Sequence, residues 1–170
     1  MSKRLGSIVV LVGLIGLMAE AFSIELPQRK TGLWDIKISR TGTNRPSSQT
    51  IQMCIDQKTD NIAQQMGESF VKASCSKQQI RREGNRIVGD SVCQIGETTA
   101  TSHTVFSGEF DRAYHGEIRT KYSPPLMGKN ENLTLFDAKW IGPCQADQKP
   151  GDMIMPNGMK INIREMQQKP

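Results

Sequence analysis

Trp34, Ile36 and Ile38 alternate with Asp35, Lys37 and Ser39, the period of two that a half-buried strand produces. A polar, breaker-rich stretch from Thr41 to Ser48 follows, and then Ile51, Met53 and Ile55 alternate again with Cys54 on the opposite face. The two runs predict a hairpin with a long loop. One helix comes next. Asp56 can cap it, and Ile62, Met66 and Phe70 recur at every fourth position, which predicts a helix over residues 57–71 with one apolar stripe for the sheet.

The rest of the pattern is strand-like. Cys75–Arg82 and Arg86–Ile95 flank Glu83-Gly84-Asn85, where glycine supplies the positive φ of a hairpin turn. Thr98–Ser107 and Tyr114–Tyr122 read as a second pair about Glu109–Arg112. Pro124 and Pro125 are expected to end that pair, because proline cannot donate to a ladder. Asn132–Gly142 is the last strong strand, carrying Leu133, Leu135, Phe136 and Trp140. From about residue 145, Pro150, Gly151, Pro156 and Gly158 predict an irregular tail, to which Ile161 and Ile163 add a short edge strand. About seven strands, with one helix between the second and third, make a mainly β chain, formally α+β. The expected architecture is an antiparallel meander curled into a sandwich or barrel.

The first residues belong to a different class. Lys3 and Arg4 precede an apolar run from Leu5 to Met18, and Ala19 and Ala21 put small residues where a signal peptidase requires them. That run is shorter than the roughly 20 residues of a membrane-spanning helix. Residues 1–21 are therefore expected to be a cleaved signal peptide, with Ser23 the next-best cleavage site and an uncleaved anchor the competing reading. Residues 22–170 form one β-rich domain, with no stable membrane span after cleavage. Loss of Lys3, Arg4 and Glu20 lowers the formal net charge from +5 to +4. Such a mild balance excludes little by itself. The nearest basic cluster, Lys77, Arg81, Arg82 and Arg86, has no interleaved aromatics to stack bases, so nucleic acid is not an expected partner.

Export changes how the four cysteines read. An even count in an exported chain favours disulfides, and no CxxC pair points to a redox site or zinc ribbon. Cys75 and Cys93 lie equally far from Gly84, so a three-residue loop centred there sets them face to face across the hairpin. A two-residue turn shifts the register by one, and the bond then needs a bulge. Cys75–Cys93 is the preferred pair, which leaves Cys54 with Cys144. Cys54–Cys75, closing the helix between them, is the competitor.

Candidate chemistry is thin. Nucleophilic catalysis needs a histidine beside a serine or cysteine, and the two histidines, His103 and His115, sit in strand-like runs with no nucleophile elbow. If their strands pair about residue 110 or 111, the imidazoles lie at similar heights, but no third metal ligand is evident. Glu109 with Glu117, and Asp90 with Glu97, have no context that marks them as acid–base pairs. No glycine-rich phosphate loop is present. Met153, Met155 and Met159 cluster in the tail and Met127 lies in the proline loop; thioether sulfur suits Cu(I), while methionine equally fills cores and contact surfaces. The candidate ligand or partner surface is thus Pro125, Leu126, Met127, Met153, Met155 and Met159, with no catalytic residue, metal or cofactor expected.

Together the landmarks resemble a known family. Gly32-Leu33-Trp34 opens the domain, Cys54-Ile55-Asp56 starts the helix, and Cys75…Cys93 brackets the hairpin. Phe106-Ser107-Gly108-Glu109-Phe110-Asp111-Arg112-Ala113-Tyr114 follows, and the end reads Trp140-Ile141-Gly142-Pro143-Cys144 and then Gln148-Lys149-Pro150-Gly151-Asp152. The sequence is similar to the small exported bacterial proteins grouped as domain of unknown function three-six-one-seven. Gln57 departs from the proline usual after the helix cap. The resemblance implies a periplasmic β-rich domain of Gram-negative bacteria and transfers no catalytic residue. The expectation is a non-catalytic periplasmic binding or accessory module that engages an apolar ligand or an envelope protein. A Met-rich copper-binding protein and a hydrolase with an unrecognised site are the alternatives.

Overall fold

Cross-strand pairing turns the alternation of the first two runs into a ladder. A computed structural model describes residues 27–41, 47–61 and 74–167. In it β1 (Gly32–Thr41) and β2 (Ser47–Ile55) form the expected hairpin, with Trp34 opposite Met53 and Ile36 opposite Ile51. β3 (Cys75–Glu83), β4 (Arg86–Ile95), β5 (Thr98–Glu109), β6 (Ala113–Leu126) and β7 (Lys129–Gly142) follow as a meander of successive hairpins. β1 then pairs with β7, so the first hairpin joins the far flank of the meander.

The result is one nine-stranded sheet of order β3-β4-β5-β6-β7-β1-β2-β8-β9, antiparallel throughout. It is mainly β and sandwich-like, as the pattern predicts, but the sheet stays open. β8 (Asp152–Ile154) and β9 (Lys160–Asn162) are only three residues long, so β9 has too little backbone to zip against β3 and close a barrel. β2 and β3, consecutive in sequence, lie six places apart in this order, a separation that only a long connection spans. Residues 57–61 of that connection are helical. Ile62, Met66 and Phe70, the expected apolar stripe, lie outside the described residues, as does the expected signal peptide at residues 1–21.

Two elements differ from the sequence reading. β6 runs on through Pro124 and Pro125 to Leu126. It can do so because neither proline is needed as a donor: the ladder with β5 ends at Ser123, and the ladder with β7 skips from Lys121 to Leu126. The tail is also less irregular than its breakers imply. Met53 pairs with Met153 and Gln52 with Ile154, so β2 recruits β8, and β9 and a short helix at Ile163–Gln167 follow.

Trp34, Ile36, Ile51, Met53, Ile55 and Ala138 form the buried cluster on one face, with Ile38, Tyr114, Phe136, Trp140, Met153 and Met155 packed around it. Trp34 is fully buried and its indole lies 5.8 Å from the Tyr114 ring. Register carries this face across β5 and β4 as Phe106 and Ile87. Gly116 is open for a reason: a Cβ there would overlap the Phe106 ring, which fills the space instead. The opposite face carries most of the charged strand residues.

Candidate functional site

The motifs that mark the sequence turn out to be joints of the scaffold. Gly32 has φ 133°, and a Cβ on it would overlap the Gly142 carbonyl oxygen. The two tryptophans that flank it in space are both tied to the entering chain: Trp34 Nε1 donates to the Lys30 carbonyl at 2.8 Å and Trp140 Nε1 to that of Thr31 at 3.1 Å. Lys30 Nζ lies 3.7 Å above the Trp140 ring, a cation–π contact. In the run around Phe110, Phe110 stacks on Tyr114 at 5.1 Å, and Trp140 N–H donates to the Arg112 carbonyl.

The ending Gln148-Lys149-Pro150-Gly151-Asp152 docks the tail on β2. Gly151 N–H donates to the Cys54 carbonyl, and Gly151 carbonyl accepts from Ile163 N–H. Asp152 accepts from Lys149 N–H at 2.8 Å and from the Asn162 amide at 2.7 Å. Burial works to raise the Asp152 carboxyl, but these two donors and nearby Lys160 and Lys149 hold it below its ordinary value. Asp56 behaves alike. Burial opposes its charge, yet the Thr59 N–H and hydroxyl and the Arg164 guanidinium keep it low. Its carboxylate caps residues 57–61 as expected.

The cysteines pair as Cys54–Cys144 and Cys75–Cys93. The second pair uses the bulge route. Glu83 pairs with Arg86 about a two-residue turn, and an extra residue at Ser76 restores the register that sets Cys75 opposite Cys93.

The histidines do not come together. β5 and β6 pair about residue 111, which places Arg119 opposite His103 and Ser107 opposite His115. The imidazoles are thus offset by four residues, about 13 Å of strand rise, and not at similar heights. Each instead faces a carboxylate: His103 Nδ1 lies 2.7 Å from Asp90 and His115 Nδ1 2.8 Å from Asp137. His103 and then Arg81 hold the Asp90 carboxyl below its usual range. Ser107, His115 and Asp137 share a row, but among the described residues no hydrogen bond joins Ser107 to the ring, and His115 and Asp137 are open to solvent. No group of three or more His, Cys, Asp or Glu able to hold a metal occurs among the described residues.

The residues expected to form one contact surface are spread over the molecule. Leu126 and Met127 make the tip of the β6–β7 hairpin, where Met127 is 92% exposed with φ 49°. Met153 and Met155 pack against the Trp34 cluster, while Met159 is half-exposed after the β8–β9 turn. Met159 precedes Lys160, which lies level with Gln52, Asp35 and Lys139, on the order of 33 Å along the strands from the β6–β7 tip.

Two grooves lie elsewhere, back to back on β3–β6. On the Trp34 face, Gln78, Ile80, Ile87, Ser91, Thr104 and Phe106 line a groove of about 230 Å³. On the opposite face, Lys77, Asp90, Val92, His103, Arg119 and Lys121 contribute to one of about 470 Å³. Neither was legible in the sequence. Each is assembled across three or four strands from positions that have no mutual spacing in the chain.

An open antiparallel sheet stapled by two disulfides, with grooves on its faces, defines a small β-rich protein of the disulfide-bonded class. Among the described residues no helix is long and apolar enough to cross a membrane. Residues 29–144 match the family described as "Protein of unknown function (DUF3617)", and the chain belongs to it. The match ends at Cys144, so the tail that docks on β2 lies beyond it. No curated protein and no solved structure matches the chain.

Proposed function

We propose that the protein is a non-catalytic binding module of the bacterial periplasm that holds an apolar group against the Trp34 face of β3–β5. The groove of about 230 Å³ carries this reading: Ile80, Ile87 and Phe106 give it apolar lining, and Gln78, Ser91 and Thr104 add polar groups. Apolar walls with a few placed hydrogen-bonding groups are the usual make-up of a small-ligand site. Both histidines sit on the other face, away from this groove. The two disulfides and the expected leader support an oxidising, exported setting.

The test is native mass spectrometry of protein taken from the periplasm, together with titration of N-phenyl-1-naphthylamine, an uncharged apolar probe. A co-purifying lipid-like mass and saturable fluorescence, weakened several-fold by Ile80→Gln, are expected. A bare monomer mass with no saturable probe binding overturns the reading. The projecting tip supports a second role, contact with an envelope protein, because Met127 is almost wholly exposed. Cross-linking in the periplasm should then recover a partner that Met127→Ser loses.

A further inference from the structure

The opposite face of the same strands has a different chemistry. In one row Lys77, Val92, Thr101 and Lys121 stand side by side on β3, β4, β5 and β6; in the next row come Gln79, Asp90, His103 and Arg119. These side chains line the groove of about 470 Å³. Its one acid is already engaged, since Asp90 meets Arg81 at 2.6 Å and His103 at 2.7 Å. Arg119 uses Nε for Glu117 on its own strand. Lys77 and Lys121 have no carboxylate within ion-pair distance among the described residues, although Glu131 stands opposite Lys121 on β7.

In the other half of this face Lys37 of β1 and Lys139 of β7 each have an acid beside them. There Lys37 stands opposite Asp137 and Lys139 opposite Asp35, cation against acid across neighbouring strands. Opposite charges in register stabilise a sheet and like charges oppose it. Lys77, on the edge strand, has only Val92 beside it and contributes nothing of that kind to the fold, while Lys121 has Glu131 on one side and Thr101 on the other.

We propose that this groove is an anion site, in which Lys77, Lys121 and Arg119 take a soluble ligand carrying more than one phosphate-type group. Two ammonium point charges and a guanidinium fork are the donors that bind phosphoryl oxygens. The row spans three strand spacings, about 14 Å, which suits a ligand with two acid groups better than a single ion. His103 turns Nδ1 to Asp90, leaving its Nε2 edge for the ligand. A free ligand fits better than a lipid headgroup, because a surface that seats on a bilayer adds apolar side chains to the cations. None of the large exposed apolar residues Ile95, Met127, Ile141, Met159 and Met166 lines this groove.

Isothermal titration of the mature, oxidised protein with sodium pyrophosphate at low ionic strength tests the proposal. Saturable binding is expected, weakening as salt is raised. Lys77→Gln with Lys121→Gln should cost about tenfold or more in affinity, and Lys77→Arg with Lys121→Arg should retain it. Lys37→Gln with Lys139→Gln removes the same charge from the other half of the face and should leave affinity unchanged. Three outcomes overturn the site: no saturable binding, equal loss in the Lys37/Lys139 pair, or binding to phosphatidylglycerol vesicles without binding to pyrophosphate. The uncharged probe and pyrophosphate report on different faces, so this site and the apolar groove fail or stand separately.

Discussion

Gly32 lies against the edge of the Trp140 indole, so close that a Cβ on residue 32 would come within 2.5 Å of Nε1. This contact explains why a glycine precedes the buried Trp34. With φ 133° the backbone is also in a region that side-chain-bearing residues rarely adopt. Gly32→Ala must shift the β1–β7 junction or strain the chain, and a loss of about 2 kcal/mol is expected. Urea unfolding checks this; an unchanged midpoint would mean the junction gives way freely.

The two disulfides should not be equal. Cys54–Cys144 closes a span of 90 residues and Cys75–Cys93 one of 18. On loop entropy alone they contribute about 4.5 and about 3 kcal/mol. Replacing Cys54 and Cys144 together by alanine should therefore destabilise more than the same change at Cys75 and Cys93. Cys54 is also fully buried, which adds to the difference. Denaturation of the two double variants, compared at equal ionic strength, decides the order; the reverse order refutes it.

Acid should unfold the tail junction first. Asp56 and Asp152 both have carboxyls held below the ordinary value in the folded chain. A carboxyl depressed on folding contributes stability above its unfolded pKa, about 3.9. That contribution is lost as pH falls through the lower folded value. The urea midpoint should thus change little between about pH 7 and pH 5 on account of these groups and fall below about pH 4. Asp152→Asn should lower the midpoint at neutral pH and flatten the acid limb. A midpoint with the same acid slope in wild type and variant removes Asp152 from this role.

The alternation of Trp34, Ile36 and Ile38 with polar neighbours was enough to place β1 and its buried face, because strand periodicity is local. The hairpin of β3 and β4 was legible for the same reason, as was the pairing of its cysteines once a bulge was allowed. The heights of His103 and His115 were not. A four-residue offset follows from the register of β5 on β6, and only the pairing fixes it. Met153 and Met155 could be read as sulfur ligands or as packing, and recruitment of β8 by β2 puts them on the core.

By itself, then, the sequence determined the class: a mainly β chain with paired cysteines and a Gly-Leu-Trp opening that belongs with the Trp-Ile-Gly-Pro-Cys ending. Turn residues and periodicity act over a few positions, and those features need no more. Tertiary structure alone decided what shares a surface. Lys77 and Lys121 stand in one row across β4 and β5, and Ile80 lines the same groove as Phe106, because strand order and register bring distant positions onto one face. No pattern within one strand carries that information.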